Sequence, residues 1–284
     1  MPTKPKAAAM VKKGARYEDF FAAFALAEVL AEKVAETDPS DWPDIYEQVV
    51  AFFDDLVVVT KNATRYHQLK NVQTLSWQGG THSIEADFLL QKQLSDMEGE
   101  PNSYTTLVTS SAKIAQGLQE NIPATIVSHS NVLHFPYADG SLNRLVWEHE
   151  PLQKALAMLT RSSAASTKDE LEYTFGALIS GFLHRRENAS SLTLLECAQK
   201  QSPGLLRLFP HQIRDINFRE DFVKVLAQIH GLKYFAETGF FCWSCFSDSG
   251  VLPYNCLDAQ FAGFQARVVA ANPTTFDDFE IQLL

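Results

Sequence analysis

One stretch, residues 52–70, constrains the fold of this chain more than any other. It reads FFDDLVVVTKNATRYHQLK: two aspartates, a run of valines, a short polar segment and a second run of mixed character. β-Branched and aromatic residues favour strands, and the polar segment is typical of a turn. The pattern therefore predicts a β-hairpin with strands at residues 56–60 and 65–70, in whose turn Asn62 can adopt a positive φ.

The hairpin places several polar side chains close together. Alternate residues of a strand share a face, so Gln68 and Lys70 point the same way and Leu69 points into the opposite layer. Antiparallel pairing brings them beside the start of the first strand, where Asp54 and Asp55 lie. Adjacent aspartates in an extended chain face opposite sides, so only one can join the pair. We predict Asp55, which directly precedes the apolar run, with Asp54 facing solvent or capping the strand.

An acid, an amide and an ammonium in one cleft suit phosphodiester hydrolysis. A divalent cation offsets the charge of the phosphate, generates hydroxide and stabilises the leaving oxygen. Mg²⁺ prefers oxygen ligands and keeps several waters, so Asp55 and Gln68 could bind it, or Mn²⁺ in its place. Lys70 could then orient the attacking water or offset charge on the phosphate. An ordinary surface hairpin with common polar residues is the alternative.

This arrangement resembles a known family. Asp55 followed by Gln68-x-Lys70 after a short hairpin resembles the PD-(D/E)xK nuclease superfamily, with glutamine in place of the usual second acid. With the helix start Gly14-x-x-Tyr17-Glu18, it is similar to the double-stranded DNA endonuclease domain of CBASS anti-phage effectors. Similar domains occur in Lamassu-type and other ABC-ATPase-linked defence systems. The resemblance covers residues 14–135 and implies a Mg²⁺- or Mn²⁺-dependent DNA endonuclease.

The resemblance also implies a further metal ligand. In that superfamily a glutamate of the first helix often joins the metal site, and Glu18 is the matching position, although an ordinary acid near a helix start is the alternative. Glu47 is a lesser candidate. Gln68 supplies a neutral oxygen, so the metal should bind more weakly unless Glu18 helps. This leaves open a degenerate nuclease fold that serves as a non-catalytic interaction subunit of a defence complex.

The order of elements predicts an α/β fold. We expect a restriction-endonuclease-like mixed sheet flanked by helices, followed by a mostly helical C-terminal region. Residues 1–16 would form a basic flexible arm, 17–150 a nuclease-like α/β domain and 151–284 a helical domain. Apart from the hairpin, strands are expected within 104–110 and 124–135, while residues 44–53 could be helical or extended. Helices are expected at 17–35, 84–94, 112–120, 152–159, 168–183, 191–200 and 220–236.

Charge and composition bear on partners. The net charge of −10 and pI near 5.3 argue against a stand-alone nucleic-acid binder. The N-terminal arm is purely basic and could contact DNA or serve only as a solubilising tail. The helical half carries large apolar faces, for which we expect a protein partner (an ATPase or sensor subunit) or a second copy. No apolar run reaches the length of a membrane span, and we expect a cytoplasmic protein without a membrane partner.

Two weaker motifs remain. Cys242-x-x-Cys245 with Cys256 and Cys197 could form a four-cysteine zinc site, but a second CxxC is absent and the neighbours are aromatic, so buried structural cysteines are favoured. The cluster at residues 184–186, His-Arg-Arg, is typical of a solvated helix end and could otherwise touch phosphate.

Overall fold

The computed structural model describes residues 4–47, 55–79, 82–100, 102–137, 141–161, 166–184, 189–214 and 216–283. The helices within these residues are α1 (Lys4–Lys33), α2 (Ile84–Met97), α3 (Ala112–Glu120), α4 (Leu142–Glu148), α5 (Glu150–Leu159), α6 (Lys168–His184), α7 (Ser191–Gln201), α8 (Pro210–Ile213), α9 (Glu220–Leu226), α10 (Ala259–Ala271) and α11 (Phe276–Leu283). The strands are β1 (Asp44–Tyr46), β2 (Leu56–Val59), β3 (Thr64–Lys70), β4 (Ser103–Thr109), β5 (Ser130–His134), β6 (Ala189–Ser190), β7 (Leu232–Glu237), β8 (Phe240–Cys245) and β9 (Asp248–Asn255).

The main sheet has six strands in the order β5-β4-β3-β2-β1-β6. Strands β3, β4 and β5 run parallel, and α2 and α3 are the crossover helices between them. Strands β2, β1 and β6 continue the sheet in antiparallel fashion. The predicted α/β class with a mixed sheet flanked by helices is therefore confirmed.

Helices cover both faces of this sheet. On one face, α2 and α3 pack over Val57, Tyr66 and Leu107. On the other, α1 packs over Leu56, Val58 and Leu69, and α5 and α6 pack against α1 in turn. The two faces follow the period of the strands, since Leu56 and Val58 alternate with Val57. The odd-numbered residues of β3 therefore face α1, and the even-numbered residues face α2.

The predicted hairpin is present, but its turn is closed differently. Strands β2 and β3 pair from Leu56↔His67 to Val59↔Thr64. The hydroxyl of Thr60 donates to the carbonyl of Ala63 at 2.8 Å and accepts the Ala63 N–H at 3.0 Å. Asn62 is not among the residues with positive φ, so the turn does not use the conformation that Asn62 could adopt. The Thr60 hydroxyl therefore bridges the two ends of the turn, and no left-handed residue is needed there.

The first helix is longer than expected. It begins at Lys4, so it includes most of the segment 1–16 that was predicted as a flexible arm. Strong helix formers explain the extension, because an alanine triplet follows Pro5, which is tolerated in the first turn.

The hydrophobic core does not divide at residue 150. One cluster joins Phe21 and Phe24 of α1 to Leu156 of α5, Phe175 of α6 and Leu194 of α7. Strand β6 lies beyond residue 150 and completes the main sheet beside β1. A separate cluster gathers residues from α9, β8, α10 and α11. The packing therefore changes near residue 215 rather than near residue 150.

The C-terminal region contains a small sheet as well as helices. Strands β7, β8 and β9 form an antiparallel meander, with α9 and α10 packed on Phe241 and α11 packed on Phe264 of α10. The helix predicted over 220–236 ends at Leu226, and β7 begins at Leu232. Gly231 stands between them with φ +81°, a conformation in which glycine carries no steric penalty.

Candidate functional site

The candidate site lies where β2 stops pairing with β3. The last pair is Leu56↔His67, yet β3 continues to Lys70 and stays paired with β4. The backbone of β3 is therefore uncovered on its β2 side at Leu69. There the Asp55 side chain replaces a strand partner: its Oδ2 accepts the Leu69 N–H at 2.6 Å. This hydrogen bond places the Asp55 carboxylate directly beside the Gln68-Leu69-Lys70 triplet.

Gln68, the residue before Leu69, is buried. The residue is 9% exposed, and its Oε1 has no hydrogen-bond partner among the described residues. If the register of the pair continued by one residue beyond Leu56↔His67, Asp55 would lie opposite Gln68, on the same face. A buried oxygen without a donor is unfavourable by about 1–3 kcal/mol. A bound cation would satisfy it.

Lys70 ends β3 on the same face as Gln68. Its side chain is half-buried and lines a groove with Thr74, His82 and Ile84. The structure therefore brings Asp55, Gln68 and Lys70 to one end of one strand pair. This arrangement agrees with the period-two argument from the sequence.

Glu18 belongs to α1, the helix on the other face of the sheet. It is half-buried on α1, one turn before Phe21, whose ring lies 5.3 Å from that of His67. Because His67 and Gln68 face opposite layers, Glu18 and Gln68 could share a cation only past the end of β2, beside Asp55. The metal role of Glu18 stays a prediction.

Other predicted residues stand apart or outside the described chain. Glu47 is half-buried directly after β1, and its role also stays a prediction. Asp54 lies outside the described residues, as do the arginines at 185 and 186. Within the described ranges, no three histidine, cysteine, aspartate or glutamate side chains are grouped to hold a metal ion.

The donors at the hairpin end fit magnesium better than zinc. They comprise one carboxylate and one amide oxygen, and Mg²⁺ commonly takes one or two carboxylates and completes its shell with water. Zinc prefers nitrogen and sulfur ligands in a closed set. Asp55 and Gln68 would therefore hold Mg²⁺ or Mn²⁺ as a largely hydrated ion, and the ion would supply the activated water.

A neutral histidine, His67, lies next to Gln68 on β3 and faces the opposite side of the sheet. The imidazole of His67 packs on Phe21, and its Nδ1 is buried without a partner among the described residues. Burial, with a smaller contribution from the charge of Arg65, lowers the pKa of His67 to about 4. His67 is thus uncharged at neutral pH and adds no positive charge behind Asp55.

The cysteines are packed in the small sheet. Cys242 and Cys245 are buried on β8, and Cys256 follows β9. Burial raises the pKa of Cys242, and it raises the pKa of Cys256 to about 12 with a contribution from Cys242. Without a bound metal these thiols are therefore poor nucleophiles, since the nucleophile is the thiolate.

Sequence reasoning missed the segment that follows Lys70. The groove beside Lys70 is formed by a loop of Thr, Ser and Gly residues that returns to the start of α2. Ser83 caps that helix by accepting the Ala86 N–H at 3.2 Å. A serine directly before a helical pattern, shortly after a Gly-Gly pair, was the available signal.

No protein-family model matches this chain, and no curated protein matches it in sequence. None of the helices in the described ranges combines the length and apolar character needed to cross a bilayer. The family resemblance therefore depends on the residues of the hairpin and their geometry.

Proposed function

We propose that this protein is a metal-dependent DNA endonuclease of the PD-(D/E)xK type. One observation supports the proposal: the Asp55 carboxylate accepts the N–H of Leu69, the neighbour of Gln68, whose buried Oε1 has no hydrogen-bond partner among the described residues. Asp55 and Gln68 bind Mg²⁺ or Mn²⁺, with Glu18 as a candidate ligand through water. Lys70 orients the attacking water or offsets charge on the phosphate.

The biological role is proposed on the resemblance alone. The endonuclease would act as an effector subunit of a bacterial anti-phage system, held by an ATPase or sensor subunit or by a second copy. The net charge of −10 supports a partner that helps to hold DNA.

Plasmid cleavage in Mg²⁺ tests the activity. Asp55→Asn and Lys70→Ala should each lower the cleavage rate at least about a hundredfold, the usual contribution of one such group. The matched control is Lys61→Ala, which removes an exposed lysine from the turn at the other end of the same hairpin. Wild-type rates in either site variant would contradict the assignment.

The second candidate is a non-catalytic interaction subunit. Its support is the exposed aromatic surface of the small sheet, where Phe246 is 79% exposed and Phe235 is 51% exposed. This reading predicts no nicking at any Mg²⁺ or Mn²⁺ concentration, with or without a partner. It also predicts that Phe246→Ser abolishes co-purification with that partner.

A further inference from the structure

A groove of about 450 Å³ opens beside Lys70, between the end of β3 and the start of α2. Its polar lining consists of Lys70, Thr74, Ser76 and His82, over the apolar side chains Leu75 and Ile84. We call it the Lys70 groove. His82 is exposed at its rim, and Lys70 is half-buried at the end nearer to Asp55.

Hydrogen bonds at both ends hold the loop that forms the groove. Directly after Lys70, the Asn71 Oδ1 accepts the hydroxyl of Ser110 at 2.8 Å. Farther along, the Trp77 indole donates to the Leu118 carbonyl at 2.9 Å, and the Trp77 carbonyl accepts the Glu85 N–H at 3.1 Å. These contacts fix Asn71 and Trp77 against Ser110, α3 and α2, which reduces the ordering that this part of the groove requires when a ligand binds.

The lining suits an anion of the size of a phosphate. Lys70 can carry positive charge, His82 can do so when protonated, hydroxyls lie between them, and none of the described residues that line the groove is acidic. The Glu85 carboxylate, in the first turn of α2, is bound by the Thr125 hydroxyl at 2.7 Å and by Gln78 Nε2 at 2.9 Å. Those two donors lower the pKa of Glu85 and hold its carboxylate.

We propose that the Lys70 groove binds the phosphate next to the scissile phosphate on the same DNA strand, with His82 as a positioning residue. The inference rests on the proposed function, because it takes Asp55, Gln68 and Lys70 as the point of cleavage. Its consequence concerns substrate class: the enzyme acts on a polynucleotide with consecutive phosphodiesters. A lone phosphodiester fills the cleavage site but leaves the groove empty.

Two substrates test this assignment in Mg²⁺. Duplex DNA occupies the groove, and bis(p-nitrophenyl) phosphate, a single phosphodiester, does not. His82→Gln should raise KM for DNA about tenfold, the loss of one charge-assisted hydrogen bond, with kcat unchanged. It should leave hydrolysis of the small diester unchanged. An equal loss of kcat/KM on both substrates, or no loss of kcat/KM on either, would overturn the role of His82.

The control is His230→Gln, which alters an exposed histidine beside Phe246 in the small sheet. It should leave both substrates unaffected. Loss of DNA affinity in this variant as well would assign the effect to general charge and not to the groove.

A binding measurement separates this inference from the endonuclease proposal. Duplex affinity is compared between Asp55→Asn and the double variant Asp55→Asn with His82→Gln, neither of which turns over. A tenfold weaker double variant supports the groove even if the wild type cuts no DNA. Equal affinities overturn the groove even if the wild type is an active nuclease.

Discussion

The buried amide of Gln68 distinguishes this hairpin end from an ordinary one. Its Oε1 is buried without a donor among the described residues, while Asp55 accepts the backbone N–H of the next residue, Leu69. A cation between the two oxygens would satisfy both and would also explain why a polar side chain is kept at a buried position.

Gln68→Glu tests this explanation through stability. Without divalent metal, a second buried carboxylate beside Asp55 should lower the free energy of unfolding by about 1–3 kcal/mol. Adding Mg²⁺ should raise Tm more in the variant than in the wild type, because the ion binds only the native site. The measurement is thermal unfolding with and without Mg²⁺.

Gln91→Glu is the control for that variant. Gln91 is also buried but lies on α2, where its Nε2 donates to the Ser95 hydroxyl at 3.4 Å. It should be destabilised with no recovery in Mg²⁺. Equal responses of the two variants to Mg²⁺ would count against a site at Gln68.

Asp55 has a structural and a chemical role that two substitutions separate. Asn at position 55 can still accept the Leu69 N–H but lacks the charge, so stability should change by less than about 1 kcal/mol while cleavage is lost. Ala removes the acceptor as well and should lower the free energy of unfolding by about 1–2 kcal/mol. Urea unfolding of both variants measures the difference. A large loss of stability in Asp55→Asn would mean that the charge is mainly structural.

Two buried histidines make stability depend on pH. Burial lowers the pKa of His67 to about 4 and that of His149 to about 4, from a usual 6.5. Between these values the unfolded chain binds more protons than the native protein, so stability is complete above pH 6.5 and falls as pH decreases. Each histidine should contribute a slope of about 1.4 kcal/mol per pH unit in that interval.

His149→Asn tests the slope. His149 caps α5, since its Nδ1 accepts the Leu152 N–H at 3.3 Å, and asparagine is a good N-cap. The variant keeps a cap and loses one titrating group, so the free energy of unfolding should fall less steeply from pH 6.5 to 4. An unchanged slope would exclude His149 as a source.

Local rules explain which site residues could be predicted. The period of a strand was enough to place Gln68 and Lys70 on one face, and the start of the apolar run selected Asp55. The turn does not use the positive φ that Asn62 could adopt, and the Thr60 hydroxyl bonds the Ala63 carbonyl across it. The position of His82 depends on Trp77 reaching Leu118 across the fold, a contact that no local pattern contains.

Among the elements, the turn between β7 and β8 in the small sheet leaves no room for a side chain at its glycine. Gly239 lies between β7 and β8 with φ +90°, and an added Cβ would lie 2.6 Å from Leu208. The Leu208 N–H also donates to the Thr238 carbonyl at 2.8 Å. This turn therefore docks the small sheet onto the segment that follows α7.

A pair of glycine variants tests this docking. Gly239→Ala should lower the free energy of unfolding by at least about 2 kcal/mol, from backbone strain and the clash with Leu208. Gly263→Ala, at an exposed position within α10 with open space around it, should raise it by up to about 1 kcal/mol. Thermal unfolding compares the two, and a tolerated Gly239→Ala would contradict the close approach.

The elements that sequence predicted best have strong local patterns. The helices at 112–120 and 168–183 and the hairpin were predicted within a residue or two. Strand β7 was missed because its apolar residues continue the helical spacing of α9. Its strand state comes from pairing with β8, from Leu232↔Cys245 to Glu237↔Phe240. Tertiary pairing overrides propensity there.

For the whole molecule, the cluster that joins α1 to α5, α6 and α7 determines which fragments can fold, and we call it the first core. A chain cut at residue 150 loses β6, which pairs with β1, and loses the helices that cover α1, including Phe175 of α6. We expect fragment 1–150 to show no cooperative unfolding, and fragment 1–217 to unfold cooperatively because it keeps the first core. Circular dichroism on heating distinguishes them, and a cooperative transition in fragment 1–150 would support the boundary predicted from sequence.

Sequence placed that boundary at 150 because the composition becomes helical there. A change of element type does not mark a change of core. Helices α5, α6 and α7 pack on α1 as well as on one another, so they share the core of the first half. The division near residue 215 is visible only in the packing, because the buried residues of the second cluster run from Phe222 to Phe279.

The location of a bound metal ion tests the central claim most directly. Crystals of the full chain grown with Mn²⁺, in which Mn²⁺ stands in for Mg²⁺, would reveal the ion by its anomalous scattering. We predict one peak within about 2.6 Å of both an Asp55 carboxylate oxygen and Gln68 Oε1. A peak bound elsewhere, or these two oxygens too far apart to share an ion, would contradict the account.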